Sequence, residues 1–283
     1  MPPIIGAHVS SAGGASKALE RATAMGAAAL QLFVDQQRRF PRAPLPVDEL
    51  TRLREGLAAA GLPAYVHVPY LVNLATADRA LRARSVDMVC RALSACALGG
   101  LRGAVVHVGS HRGRGFVAVR EQVIGDLREA CGRADAPEFL LIENAAGGGG
   151  QIGAQLEELR DLLDGLEDAG IRARLCLDLQ HAHAAGADLG SERGVAAFAQ
   201  ALRDAGLARR IGLVHANDSA APSGSRRDLH ANPGEGTIGR RGLRACARVP
   251  ELASVPWVLE VPGPERKGPT KREIDRLRRI VSR

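Results

Sequence analysis

The chain has 283 residues, 46% of them hydrophobic, and a formal net charge of +7. That length fits one α/β barrel, for which about 250 residues is typical, and no apolar run approaches the roughly 20 residues of a membrane span. The start MPPIIGAHVS has no charged segment followed by an apolar leader, and the five scattered cysteines contain no C-x-x-C pair, so a soluble cytoplasmic protein with reduced thiols is expected.

Arginine carries nearly all the positive charge, because Lys17, Lys267 and Lys271 are the only lysines. GC-rich codon usage gives the same bias, so the charge favours a polyanionic partner without identifying one.

Along the chain, short apolar runs alternate with stretches of helical period. IIGAH (4–8) is the first strand, followed by a helix from Ala15 to Met25. AALQLF (28–33) leads into a loop with Arg38, Arg39 and Arg42, and a helix from Val47 to Ala60 has Asp48 near its start and Gly61 as its stop. AYVH ends on His67 and precedes a helix from Ala77 to Leu98, bounded by Asp78 and Gly99. AVVH ends on His107, with Arg112 and Arg114 in the loop and a helix from Val117 to Gly132 beyond. FLLIE ends on Glu143. The Gly-rich stretch from Ala145 to Gly153 lacks the spacing of a Walker or dinucleotide motif, and reads as a turn or a loop that lets backbone approach a substrate.

A helix from Gly153 to Asp168, stopped at Gly170, leads to RLCLD, which ends on Asp178. A helix from Glu192 to Ala205 leads to IGLVH, ending on His215; one from Arg240 to Ala247 leads to WVLE, ending on Glu260; and one from Thr270 to Val281 closes the chain. Strand–helix alternation implies a parallel sheet, and eight units imply closure into a (β/α)8 TIM barrel, one domain over residues 1–283.

Six of the eight runs therefore finish on a potential metal ligand: His67, His107, Glu143, Asp178, His215 and Glu260. Burying such groups is costly without compensation, and strand C-termini of a barrel open on one face, so shared cations would compensate them together. Six ligands exceed one tetrahedral zinc. Two ions about 3.5–4 Å apart, bridged by a carboxylate, use the set better. Beyond the strands, Asp228 and His230 form a D-x-H pair whose side chains point the same way along an extended segment. His181 is a third candidate for that group, with His183 its competitor.

Several segments carry a resemblance: IGAHVSSAGG, HVPYLVNLA from His67, HVGSH from His107, LIENAAG around Glu143, CLDLQHAHAAG from Cys176, HANDS from His215, GSRRDLHANPGEGTIG from Gly224 and LEVPGP from Leu259. In this order they make the chain similar to the endonuclease IV family of abasic-site endonucleases over nearly its whole length. The resemblance implies a TIM barrel with three ions, usually Zn2+, with Mn2+ at one site in some members. It implies His67, His107 and Glu143 as ligands of one ion. Glu143, Asp178, His215 and Glu260 match those of a second, Glu143 bridging, and His181, Asp228 and His230 those of a third.

The implied reaction is hydrolysis of the phosphodiester 5′ to an abasic nucleotide in double-stranded DNA by a monomeric repair enzyme. Its products are a 3′-hydroxyl and a 5′-deoxyribose phosphate, and Glu143 is the catalytic group that holds the attacking water. The loop from Asp35 to Phe40, with Arg38, and the segment of Tyr70 and Leu71 match the parts that enter the minor groove and help expel the abasic nucleotide.

Some positions depart from the family. Asp35 and Gln36 stand where a basic residue and Asn are common, so a carboxylate is expected to face phosphate and repel it. Val108 replaces a common Pro, and Leu179 and Gln180 replace Thr and Cys. Two other classes fit parts of the pattern. A metal-dependent sugar isomerase or epimerase of the xylose isomerase-like barrels needs fewer ions, and a DNA-damage-binding protein needs no catalysis.

Overall fold

All eight apolar runs form parallel strands, β1 (Ile5–His8), β2 (Leu30–Leu32), β3 (Ala64–His67), β4 (Ala104–Val106), β5 (Leu140–Glu143), β6 (Arg174–Asp178), β7 (Ile211–His215) and β10 (Trp257–Leu259). In the computed structural model, which describes residues 2–41, 43–136 and 139–282, they close in the order β1-β10-β7-β6-β5-β4-β3-β2. This is the TIM barrel that the alternation predicts. Arg42 lies outside the described residues.

The helices are α1 (Ala15–Ala24), α2 (Val47–Ala60), α3 (Arg79–Gly99), α4 (Phe116–Ala134), α5 (Leu156–Asp168), α6 (Leu179–Ala185), α7 (Glu192–Asp204), α8 (Gly239–Ala247), α9 (Pro250–Ala253) and α10 (Lys271–Val281). Most bury one apolar stripe against the barrel; in α5 it is Leu159, Leu162, Leu163 and Leu166, the spacing of one helix face. Asp78 caps α3 by accepting from the amides of Ala80 and Leu81, and Thr270 with Glu273 forms a capping box on α10. No described helix is long and apolar enough to cross a membrane.

Two short helices and a two-stranded ribbon are among the elements absent from the sequence reading. α6 buries six of its seven residues and so has no amphipathic period; α9 is a single turn. A two-stranded antiparallel ribbon, β8 (Asp218–Ser219) with β9 (His230–Ala231), stands outside the barrel. Several boundaries also shift, and Gly99, read as the stop of α3, is its last helical residue, with the left-handed cap at Gly100. Gly132 does not stop α4, which runs on to a left-handed cap at Asp135, and α5 starts at Leu156 rather than Gly153. The Gly-rich segment is fastened rather than loose: Ile152 N donates to Gly109 O (3.0 Å) and Ser110 Oγ to Gly149 O (2.6 Å).

The barrel interior is built in layers. Ala29, Tyr65, Val105, Leu141, Cys176, Leu213 and Val258 form a buried apolar cluster of their own, with Gly6 in the matching position of β1, paired with Val258. Gly6 has no room for more, since a Cβ there would lie 2.2 Å from the Ala29 carbonyl oxygen. Two residues further along each strand direction, on the same face, come His8, Gln31, His67, His107, Glu143, Asp178, His215 and Glu260. Apolar side chains thus plug the barrel beneath a layer to which every strand delivers one polar group.

Candidate metal centre

Glu143 is the hub of this polar layer. It is fully buried, and its two oxygens face different partners. Oε2 lies 3.0 Å from His67 Nε2 and 3.1 Å from His107 Nε2. Oε1 lies 2.9 Å from His215 Nδ1 and 3.4 Å from His181 Nδ1. His215 Nδ1 is also 3.1 Å from Glu260 Oε2 and 3.7 Å from Asp178 Oδ2. On the outer side, Asp228 Oδ1 lies 3.3 Å from His181 Nε2 and 3.1 Å from His230 Nε2.

All nine residues that the sequence singles out as ligands are therefore brought into one cluster. Potential donor atoms fall into three overlapping groups, each within 4.8 Å: His67, Glu143, His215 and Glu260; His107, Glu143 and His181; Asp178, His181 and His230. The partition differs from the one the resemblance implies. His107 keeps company with His181 as well as with Glu143, and Asp228 joins through its two histidines.

Orientation of the imidazoles is fixed from behind. A backbone carbonyl can only accept, so Nδ1 donates to Val68 O in His67 (2.7 Å), to Asn144 O in His181 (3.0 Å) and to Glu260 O in His230 (2.9 Å). In His215 the outer nitrogen, Nε2, meets Gln31 Oε1 at 2.9 Å. Each ring turns its other nitrogen toward the carboxylates, Glu143 for His67 and His215 and Asp228 for His181 and His230, the arrangement that outer hydrogen bonds give to metal-ligating histidines. Both nitrogens of His107, and Nε2 of His181 and His230, are buried without a hydrogen bond. Such orphaned donors beside four carboxylates fit divalent cations that take imidazole nitrogen and carboxylate oxygen.

The electrostatics carry the same demand. Burial opposes charge on Glu143, yet His107 and His215 hold it well below the usual carboxylate range. Burial drives His107 down to about 4 against the pull of Glu143. For His181 burial is outweighed by Asp178, Asp228 and Glu143, which lift it to about 10, and for His230 by Asp228 and Asp178, which lift it to about 9. Protons stand in for the positive charge that the carboxylates require.

Several supporting residues escaped the sequence reading. Asp178 is a helix cap as well as a candidate ligand: Oδ1 accepts from His181 N (2.9 Å) at the start of α6, and Oδ2 faces His215 and His230. Asn217 Nδ2 donates to that Oδ2 (2.6 Å), while its Oδ1 accepts from Glu260 N (2.8 Å). Gln31 Nε2 donates to Glu260 Oε1 (2.5 Å), and His8 Nδ1 lies 3.0 Å from the same oxygen. His8 had a visible signal, since IIGAH ends on His as AYVH, AVVH and IGLVH do. Gln31, two residues before the end of its run, had none.

His183 turns away, with hydrogen bonds of 3.1 Å to Ala187 O and 3.1 Å to Thr237 Oγ1. Gln180 is fully buried and donates to Arg227 O (2.9 Å), which holds the chain entering Asp228.

Tyr70 is 55% exposed and stacks over His107, ring centroids 5.2 Å apart; Leu71 is half-buried against the core. Arg38 is exposed in the loop after β2 and touches none of the cluster. The expectation that Asp35 faces phosphate does not hold. Its carboxylate accepts from Arg91 Nη2 (2.9 Å) and Nε (3.2 Å) on α3, a bidentate pair that neutralises it.

A family model described as xylose isomerase-like TIM barrel matches residues 19–280. A probable endonuclease 4 from Nitratidesulfovibrio vulgaris is 35% identical, the match covering 99% of this chain and 100% of that protein. The crystal structure of endonuclease IV from Thermus thermophilus superposes with a TM-score of 0.85 at 36% identity, covering 99% of each chain. A 3-keto-D-glucoside 4-epimerase from E. coli reaches 0.66 at 17% identity, covering 99% of this chain and 100% of that one, which is likeness of fold alone. The chain belongs to the endonuclease IV family of the xylose isomerase-like TIM barrels.

Proposed function

We propose that the chain is a metal-dependent endonuclease that cuts double-stranded DNA on the 5′ side of an abasic nucleotide, leaving a 3′-hydroxyl and a 5′-deoxyribose phosphate. It acts as a cytoplasmic monomer in base excision repair. The observation that carries this reading is the split environment of Glu143, with two histidines on one oxygen and two on the other, in a chain 35% identical to a probable endonuclease 4. His67, His107 and Glu143 would hold one zinc ion, Glu143, Asp178, His215 and Glu260 a second, and His181, Asp228 and His230 a third, with Mn2+ an alternative at one position. Cations so held polarise phosphoryl oxygens and lower the pKa of water from 15.7 toward about 7.

The chain's own groups do the rest. Glu143 stays ionised and orients the attacking water. Asn217 and Gln31 keep Asp178 and Glu260 turned toward the histidines of the centre, where they would serve as ligands. Tyr70 roofs His107 and offers a planar face against which a base or sugar stacks, and Leu71 and Arg38 line the approach of the minor groove.

The test is a duplex with one abasic analogue, incubated with purified protein, with and without chelator. The wild type should nick once, on the 5′ side. Chelation should abolish the cut, and His107→Ala should lose at least roughly a hundredfold in rate, the scale on which one electrostatic stabiliser acts. An uncut duplex, together with turnover of a free sugar, would transfer the protein to the isomerase class.

A further inference from the structure

Between α8 and α10 lies a cavity of about 120 Å3 lined by five side chains, four of them arginines: Arg240 and Arg244 from α8, Arg276 and Arg279 from α10, and Ile280. The i,i+4 and i,i+3 spacings put each arginine pair on one face of its helix, where like charges repel. Compensation within the protein is thin. Glu235 pairs with Arg276 and lies 3.9 Å from Arg272, and Arg244 Nε donates to the Ile280 carbonyl (3.2 Å). Neither Arg240 nor Arg279 has a hydrogen bond or an ion pair within 4 Å among the described residues, and the one acidic neighbour whose charge Arg279 stabilises is Asp275, which Lys271 and Arg278 already hold.

One wall is firmly built. The turn at Gly234 has φ +78, and a Cβ there would lie 2.7 Å from Arg240 Cγ, so the turn presses on the stem of that arginine. Asp218, fully buried, anchors the turn by accepting from the amides of Gly234 (2.8 Å) and Gly236 (3.1 Å). Glu235 is held in turn by Asn232 Nδ2 (3.0 Å). Four guanidiniums with one direct ion pair among them, Arg276 to Glu235, in a small cavity with a fixed wall, present planar donor forks that match a tetrahedral oxyanion.

We propose that this cavity is an anion site separate from the metal centre, taking a phosphate-type oxyanion. The occupant is either a backbone phosphate of a bound duplex or a free inorganic anion.

Inorganic sulfate is titrated calorimetrically into equally metal-loaded wild type, Arg240→Gln/Arg279→Gln, and a control with two exposed arginines replaced elsewhere, Arg128→Gln/Arg172→Gln. In parallel, the affinity for an undamaged duplex is measured over a range of salt. The site predicts saturable sulfate binding that is at least about tenfold weaker in the first variant only, because guanidinium bonds to an anion are among the stronger hydrogen bonds. If the occupant is a DNA phosphate, the slope of log affinity against log salt should also shrink by about 1 in the first variant relative to the control. Loss of sulfate binding with an unchanged slope identifies a free anion, and a smaller slope without sulfate binding identifies the duplex. Equal sulfate binding and equal slopes in the variant and the control would overturn the proposal. The sulfate arm reads the cavity whether or not the protein nicks abasic DNA.

Discussion

His181 and His230 set the pH behaviour of the site at the scale of single residues. Carboxylates lift them from 6.5 to about 10 and about 9, outweighing burial. A histidine raised on folding contributes stability fully below its unfolded value of about 6.5; the contribution is lost as pH rises through the folded values. Cations displace those protons, so metal binding strengthens over the same interval. Thermal melts of chelated protein should therefore fall between pH 6.5 and pH 9.5, while the rise in Tm on adding zinc grows. A zinc increment that stays constant across this interval would contradict the assignment of these rings. Eight of the nine ligand types were legible because they end an apolar run or stand in a D-x-H pair; His181, three residues after Asp178 and beside His183, had the weaker signal. The groups that aim them were not: Asn144, Asn217 and Gln31 act through backbone and ring contacts 34, 43 and 184 residues away in sequence.

At the scale of elements, the loop after β2 is fastened to α3 at two points. Arg91 grips Asp35 through two hydrogen bonds, and Arg84 lies over the Phe40 ring, 5.0 Å from its centroid. Seven residues apart, the two arginines share one face of α3, and between the two anchors Gln36 to Arg39 stay exposed. The Asp35 substitution that suggested repulsion of DNA thus removes its own charge by pairing. Breaking the pair with Asp35→Asn should raise KM for an abasic duplex several-fold with little change in kcat, since lost pre-organisation weakens binding. Exchanging the charges, Asp35→Arg with Arg91→Asp, should recover part of the loss. Unchanged KM in the single variant would show that the clamp does not position the loop. Periodicity revealed α3 but not this contact, because a loop residue and a helix residue 56 positions apart leave no local pattern. α6 and the β8–β9 ribbon stayed hidden for a related reason: both are short and organised by buried polar groups, Asp178 and Asp218, rather than by an apolar stripe.

For the whole molecule, the eight-fold alternation made the barrel readable, since each apolar run had to be a strand buried on both faces. Closure explains why residues from 8 to 260 share one layer: parallel strands carry their C-terminal side chains to the same mouth, above a plug of apolar ones. The sequence reading found six of these eight polar ends. His8 and Gln31 complete the ring and contact the same Glu260 oxygen, at 3.0 and 2.5 Å. Such a layer of four histidines and three carboxylates, with one amide, has no apolar substitute that leaves its charges compensated. On the proposed reading, bound cations would compensate its carboxylates.

Native mass spectrometry of the zinc-loaded protein counts those cations directly. Three zinc ions per chain are predicted for the wild type, falling to two on Asp228→Ala, which opens the outer group and leaves the partners of Glu143 in place. A wild-type chain that carries no more than one ion under saturating zinc would contradict the account.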